Sequence, residues 1–284
     1  MPMDPALRDA FALFVLDGDV LVPQDIARSL WKADQMHGVA TCGALGRAAE
    51  RAIDELGRGD LQPARFTVDL FRAPSMNPCT TRVEVLREGS RIAVLEAFLE
   101  QDGEDVAAAR VLFLKPGDSP SGEVWTSPEI LTPPPLEIAP PTDDPRPPHF
   151  CSDTGWSQDF SAHQNAGRKQ MWQVALPIVA GEETSPFAGL AGAADTTSMV
   201  MNWGSQGVEH INTDVTLSIS RLPVSAEVGM AALTWHTNDG IATGTAAVYD
   251  REGVFGTSSV VSLANTRRSV DFTSDAVLGH IESA

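Results

Sequence analysis

Phe66-Thr-Val-Asp-Leu-Phe-Arg-Ala-Pro74 is the stretch that decides the fold, because a related stretch, Val215-Thr-Leu-Ser-Ile-Ser-Arg-Leu-Pro223, follows 149 positions later. Polar and apolar residues alternate along both stretches, as in half-buried strands, and both end in Arg-x-Pro. Two acidic-glycine turns, Asp102-Gly103 and Glu252-Gly253, lie 150 positions apart. They separate strand-like runs at residues 91–99 and 106–114 and at residues 241–249 and 254–263. The chain is therefore predicted to contain two copies of one unit.

One helix is predicted ahead of the strands in each copy. Residues 37–56 place apolar side chains on one helical face, and Gly57 ends the run. In the second copy, Ser185-Pro186 is typical of a helix start, and small or apolar residues continue to Gly204. Each copy is thus predicted as one central helix with an antiparallel sheet of its own, which is an α+β architecture.

A proline-rich segment separates the two copies. Eleven of the chain's 20 prolines lie between Pro116 and Pro148, and proline fits neither a helix interior nor a central strand. We therefore predict a first domain at residues 1–117, a linker at residues 118–168 and a second domain at residues 169–284.

Composition narrows the function classes. A formal net charge of −18 disfavours nucleic acid as a partner. The three cysteines form no CxxC pair and the six histidines are scattered, so we expect no metal site, and the sequence shows no cofactor motif. The chain lacks a signal-peptide pattern and an apolar run long enough to span a bilayer, so a cytoplasmic location is expected.

The ordered set of motifs resembles the acyl-CoA thioesterases of the double-hotdog fold. Trp31-Lys-Ala-Asp-Gln-Met-His-Gly38 looks like the glycine-rich opening of the first hotdog helix in that family. Ile211-Asn-Thr-Asp214 and Tyr249-Asp-Arg-Glu-Gly253 follow in the family's order. The resemblance implies two fused hotdog units and acyl-CoA, or a related acyl-thioester, as the ligand.

The resemblance also implies a catalytic site. In members such as bacterial acyl-CoA thioesterase II, an Asp on the second helix, a Thr or Ser before the next strand and a Gln on a late strand orient a water molecule. These positions fall on Asp195, on Asn212 with Thr213 beside it, and near Val261, but no Gln follows Gln206 in this sequence. A carboxylate in apolar surroundings has a raised pKa and suits a general base.

Substrate-binding candidates are His37 and Gly38 at the start of the first helix, and Arg72 and Arg221 at matched strand ends. Each has a structural alternative: a bond to the helix end for His37, close helix packing for Gly38, and a solvated strand-end charge for both arginines. Asp195 could equally be satisfied by Thr197 or Ser198, Asn212 could be a turn residue, and Thr213 could simply start a strand.

The favoured function is therefore a thioester hydrolase in which Asp195 activates water. The alternative is a protein of the same fold that binds acyl-thioesters without hydrolysing them, because the expected Gln is missing. A hydratase ranks last, since Asp34 and His37 do not match the Asp-His spacing of hotdog hydratases. Exposed sheet edges make further association into homo-oligomers plausible.

Overall fold

The computed structural model describes residues 3–128, 130–265 and 268–274. The ends of the two predicted domains, residues 1–2 and 275–284, lie outside this range. The first half contains α1 (Pro5–Asp9), β1 (Phe14–Asp17), β2 (Val20–Pro23), α2 (Gly38–Glu55), β3 (Gln62–Leu70), β4 (Thr80–Glu88), β5 (Ile92–Gln101) and β6 (Glu104–Leu114).

The second half repeats this plan with additional short elements. It contains β7 (His149–Ser152), β8 (Gly155–Ser157), α3 (Phe160–His163), β9 (Gln170–Val174), α4 (Pro186–Ala194), α5 (Thr197–Asn202), β10 (Trp203–Gly204), β11 (Gly207–Val208), β12 (His210–Asn212), β13 (Asp214–Ile219), β14 (Glu227–Asn238), β15 (Ile241–Asp250) and β16 (Gly253–Ala264). The two acidic-glycine turns join β5 to β6 and β15 to β16, as predicted. Gly103 and Gly253 have φ angles of 78° and 115° there, which glycine adopts without strain.

Within the described residues, the main sheet has twelve strands. Its long path runs β4-β5-β6-β3-β13-β16-β15-β14-β9-β7-β8, and β12 also pairs with β16. The expectation of one separate sheet for each copy was wrong. The two half-sheets join because β3 and β13, the stretches quoted at the outset, pair antiparallel with each other. Each half-sheet still covers its own central helix, so the architecture is the α+β double hotdog.

The pairing between β3 and β13 reveals an internal two-fold relation. Thr67 lies directly opposite Thr216, which is its counterpart 149 positions later, and their hydroxyl groups are 3.3 Å apart. The central helices show the same offset, since a Cβ atom on Gly192 would lie 3.5 Å from the Cα of Gly43. The pseudo-two-fold axis therefore passes through both pairs, as expected for a duplicated unit.

The helices α2 and α4 pack side by side in opposite directions. Contacts step backwards along α4 as they advance along α2: Gly38 meets Asp195, Gly43 meets Gly192, and Gly46 meets Ala191. Small residues allow this approach, because larger side chains would hold the backbones apart. The antiparallel arrangement brings the end of α4 beside the beginning of α2.

The predicted second helix is broken in the structure. A single helix was expected from Ser185 to Gly204, but α4 ends at Ala194 and α5 begins at Thr197. The Thr196 amide and hydroxyl both donate to the Ala193 carbonyl, at 3.0 and 2.7 Å, which tightens the last turn of α4. As a result, Asp195 lies at the break between two helices and not within one.

The proline-rich segment is irregular but fastened to the protein. Leu131 and Ala139 pack on Trp172 and Tyr249, and Arg146 pairs with buried Glu227 at 2.6 Å. Within the predicted linker, residues 149–163 form β7, β8 and α3, and β7 pairs with β9.

The predicted domain limits stay predictions, as does association through the sheet edges. Among the described residues, no helix has the length and apolarity needed to cross a bilayer.

Candidate active site

The candidate site lies where the beginning of α2 meets the break between α4 and α5. A Cβ atom on Gly38 would lie 2.2 Å from Oδ1 and 2.5 Å from Oδ2 of Asp195. No side chain larger than hydrogen fits between the helix backbone and the carboxyl group. Glycine at position 38 is therefore what allows Asp195 to approach the first turn of α2.

Asp195 is held by Asn212 on β12. The Asn212 side-chain amide donates to Oδ1 of Asp195 at 3.0 Å, so two predicted catalytic residues are in direct contact. Packing of the Asp195 carboxyl group among protein atoms raises its pKa to about 6, against a smaller opposing effect of the Asn212 hydrogen bond. Such a group is ionised at neutral pH and can still accept a proton during a reaction.

The first turn of α2 supplies hydrogen-bond donors beside this carboxylate. The amides of Gly38 and Val39 occupy the first two helical positions, where an α-helix has no internal acceptor for them. Both residues line a cavity of about 390 Å³ that also contains Asp195. Neither amide has a hydrogen-bond partner among the described residues, and together with the positive end of the helix dipole they suit an oxygen atom that gains negative charge.

The cavity is mainly apolar. Its walls include Trp31, Met36, Leu70, Met199, Ile211 and Phe272. Phe272 is buried and packs on Phe160 and Trp203, with ring centroids 5.1 and 4.8 Å away. The site therefore combines a carboxylate, unpaired backbone amides and an apolar compartment.

Six of the seven predicted site residues line this cavity: Asp195, Asn212, Thr213, His37, Gly38 and Arg72. His37 is the N-cap of α2. Its Nδ1 accepts from the Ala40 amide at 3.1 Å, and its Nε2 lies 2.9 Å from the Ile26 carbonyl. Burial lowers the pKa of His37, which favours the neutral ring. Both ring nitrogens are therefore engaged in holding the helix start.

Thr213 contributes less to the site than Asn212 does. Its side chain is exposed, and its hydroxyl donates to the Val261 carbonyl at 3.1 Å. The Thr213 backbone links two neighbouring strands, since its amide bonds to Val261 and its carbonyl accepts from Leu70. This arrangement matches the structural alternative for Thr213, a residue at a strand start.

The structure does not bring Arg221 to the cavity. Its guanidinium group binds both carboxylate oxygens of Asp250, at 2.6 and 2.8 Å, and lies over the Phe255 ring. The Asp250 side chain, at the end of β15, is only 1% exposed. A carboxylate buried in this way needs a cationic partner, and Arg221 is that partner. Arg72, by contrast, lines the cavity and pairs with exposed Glu104. The two Arg-x-Pro motifs thus have different surroundings.

Two cavity-lining hydroxyls were missed as site candidates. Ser198, one helical turn after Asp195, is 8% exposed and lines the cavity. Thr41 in α2 also lines it, and its buried hydroxyl has no hydrogen-bond partner among the described residues. Nothing in the sequence distinguishes them, because Ser and Thr are common in helices and only three-dimensional packing places these two at the cavity.

The position expected for the family Gln does not face the site. Val261 is 43% exposed on the outer face of the sheet. Its neighbour Ser262 is buried, and it lies directly across from Asn212 in the pairing of β12 with β16. Side chains of directly opposed residues share one face of a sheet. The inward-facing position beside Asn212 is thus a serine.

Fold and site together define a double-hotdog protein with a mainly apolar cavity where its two central helices meet. Comparison with family models identifies the acyl-CoA thioesterase N-terminal domain at residues 27–114 and the C-terminal domain at residues 132–263. The chain therefore belongs to the acyl-CoA thioesterase family. No curated protein sequence matches it significantly.

Solved structures share the fold at low sequence identity. The TesB protein of Mycobacterium avium subspecies paratuberculosis superposes with a TM-score of 0.63 at 15% identity, covering 92% of this chain and 99% of that one. An acyl-CoA thioesterase II from Mycobacterium marinum superposes with a TM-score of 0.60 at 13% identity, covering 91% of this chain and 96% of that one. A hotdog-fold protein of unknown function from Alicyclobacillus acidocaldarius superposes with a TM-score of 0.62 at 18% identity, covering 92% of this chain and 98% of that one.

Proposed function

We propose that this protein hydrolyses acyl-thioesters, with acyl-CoA as the substrate class, and that Asp195 is the general base. The observation that carries the proposal is the placement of a carboxylate with a pKa of about 6 against the first turn of α2, at the wall of an apolar cavity. Membership in the acyl-CoA thioesterase family supports the same reaction class.

The reaction follows from the positions of these groups. Asp195 accepts a proton from a water molecule as the water oxygen attacks the thioester carbonyl carbon. The carbonyl oxygen becomes negative and is stabilised by the amides of Gly38 and Val39. The intermediate then collapses, the carbon–sulfur bond breaks, and the thiolate takes the proton from Asp195. A carboxylic acid and a thiol are released, and the carboxylate is regenerated.

Cavity size favours a short or medium acyl group. The volume of about 390 Å³ is near the lower end of the roughly 300–1,000 Å³ that small-molecule sites occupy. Phe272 is a fixed wall because it packs on Phe160 and Trp203. A long acyl chain would need this wall to move.

The head group would leave the cavity past Arg28 and Arg72. Both arginines already have acidic partners, Asp25 and Glu104 respectively. Exposed ion pairs of this kind contribute about 0–1 kcal/mol each, so the phosphates of CoA can replace the carboxylates at little cost. These arginines are the cations that we propose for the CoA phosphates.

Turnover of a panel of acyl-CoA thioesters tests the proposal. The panel runs from acetyl-CoA to palmitoyl-CoA, and released CoA is measured with a thiol reagent. We expect hydrolysis of at least one member by the wild-type protein and none by Asp195→Asn. Asp17→Asn removes the same charge from an exposed strand end and should leave the rate unchanged. Equal rates for wild-type protein and Asp195→Asn would refute the assignment.

A non-catalytic acyl-thioester binding protein is the second candidate. The observation in its favour is the absence of Gln near Val261, where the family resemblance places a water-binding side chain. In this case acyl-CoA would bind with a measurable Kd in calorimetry, and no member of the panel would be hydrolysed. Binding without turnover by the wild-type protein would select this candidate over the hydrolase.

A further inference from the structure

A hydrogen-bonded network behind the cavity wall makes one hydroxyl group a hydrogen-bond acceptor on the side that faces Asn202. Asn202 in α5 is 7% exposed and lies at the centre of the network. Its Oδ1 accepts from the Trp235 indole at 3.2 Å. Its Nδ2 donates to Ser262 Oγ at 2.9 Å and to Ser198 Oγ at 3.4 Å. All polar atoms of the Asn202 side chain therefore have partners.

The chemistry of Trp235 decides which way the Asn202 amide faces. An indole N–H can only donate, so the oxygen of the amide must face Trp235 and the nitrogen must face the two serines. Ser198 consequently accepts a hydrogen bond from Asn202, and its own proton must point elsewhere. Among the described residues, the Ser198 hydroxyl donates no hydrogen bond to a protein acceptor, and its residue lines the cavity.

Ser198 and Asp195 line the same cavity. The two residues are three positions apart across the helix break, and the Ser198 amide donates to the Asp195 carbonyl at 3.0 Å. Side chains with this spacing on a helical turn are neighbours. A water molecule between them can donate to the carboxylate and accept from the hydroxyl.

We propose that Ser198 is a further catalytic residue, which donates a hydrogen bond to the attacking water and takes the place of the family Gln. The inference rests on the proposed hydrolase function. Asn202 and Trp235 are positioning residues: they orient the Ser198 proton without touching the water. Ser262, which lies across the sheet from Asn212, anchors the network on the β16 side.

Steady-state kinetics of single and double variants test this inference on whichever acyl-CoA the wild-type protein hydrolyses best. Ser198→Ala removes the donor and should lower kcat about 100-fold, as loss of one preorganised donor does. KM should stay unchanged, because the hydroxyl contacts water and not the thioester. Trp235→Phe keeps an aromatic ring but frees the Asn202 amide to turn, so that Ser198 can donate to Asn202 Oδ1. We expect about a 10-fold loss of kcat from this misdirected proton.

The double variant gives the sharpest result. If Trp235 acts only through Ser198, then Trp235→Phe should cause no further loss in a Ser198→Ala background, since residues that act as one unit are non-additive. Ser258→Ala is the matched control. Ser258 is a buried serine on the same sheet, bonded to Thr197 at 2.7 Å. Its loss should leave kcat unchanged.

Three results would overturn the inference: a kcat for Ser198→Ala within about twofold of wild type, a change confined to KM, or losses that multiply in the double variant. The Asp195→Asn variant separates this failure from failure of the proposed function. If Asp195→Asn is inactive while Ser198→Ala is not, only the role of Ser198 is wrong. If Asp195→Asn is active, both proposals fall.

Discussion

Replacement of Asp195 by Asn should increase stability while it abolishes activity. The asparagine side chain has the same shape, and its carbonyl oxygen can still accept the hydrogen bond from Asn212, which is 3.0 Å from Oδ1 in the wild-type protein. What disappears is a negative charge that packing against Gly38 partly shields from water. The wild-type protein therefore retains a carboxylate that weakens the fold at neutral pH.

The size of this effect follows from the pKa of Asp195. A rise from 3.8 to about 6 corresponds to about 3 kcal/mol of unfolding free energy. Between these two pH values the folded protein binds a proton that the unfolded chain has released, so wild-type stability falls as pH rises. Asp195→Asn lacks this dependence. The variant should match the wild type below pH 3.8 and gain its full advantage above about pH 6.

Thermal unfolding at a series of pH values measures this difference. We expect the variant to unfold about 5 °C above the wild type at neutral pH, with a gap that closes as the buffer becomes acidic. Wild-type kcat should fall as pH drops through about 6, because protonated Asp195 cannot act as a base. Two results would show that the carboxylate is not desolvated. One is a variant that is less stable than the wild type at neutral pH, and the other is a difference in unfolding temperature that does not change with pH.

Four other variants test the remaining assignments. Gly38→Ala places a methyl group 2.2 Å from the Asp195 carboxylate, so kcat should fall by about 10-fold or more; an unchanged kcat would mean that the carboxylate need not lie there. Arg72→Gln should raise KM for acyl-CoA with little loss of stability. Arg221→Gln should leave KM unchanged and lower the free energy of unfolding, measured by chemical denaturation, by about 1.5–3 kcal/mol. The opposite pattern would mean that Arg221 binds the substrate and Arg72 stabilises the fold. Phe272→Ala should move the acyl-length preference of the panel towards longer chains, and an unchanged preference would show that Phe272 does not limit the cavity.

Local pattern was enough to predict the units of the fold. Alternation along β3 and β13, the two acidic-glycine turns, and the Ser185-Pro186 helix start are encoded by residues near each other in sequence. The duplication offset went further, because it correctly related Thr67 to Thr216. The local pattern does not specify which strand edges pair with each other. A half-buried edge strand can pair with any complementary edge, so the joining of two sheets into one was missed.

The structure brings only some of the predicted site residues together. Asp195 and Asn212 were paired through the family resemblance, and the structure places them in contact. Arg221 was misplaced because Arg-x-Pro fixes a strand end but does not specify the partner of the charge, which is a buried carboxylate on β15. Val261 was chosen where Ser262 faces inward, since a slip of one residue on a strand reverses the face.

Duplication allows the two ends of the helix pair to be compared residue by residue. The 149-residue offset makes Phe187 the counterpart of Gly38, and Gly46 the counterpart of Asp195. At that second end the Phe187 ring packs against Phe66, and glycine stands at position 46, the counterpart of Asp195. The nearby Glu50 carboxylate accepts a hydrogen bond from Ser185, the N-cap of α4. Each copy thus contributes one half of the site, the open helix start from the first and the acidic helix end from the second. If the proposed hydrolysis takes place here, it therefore depends on residues from both copies, Gly38 from the first and Asp195 from the second.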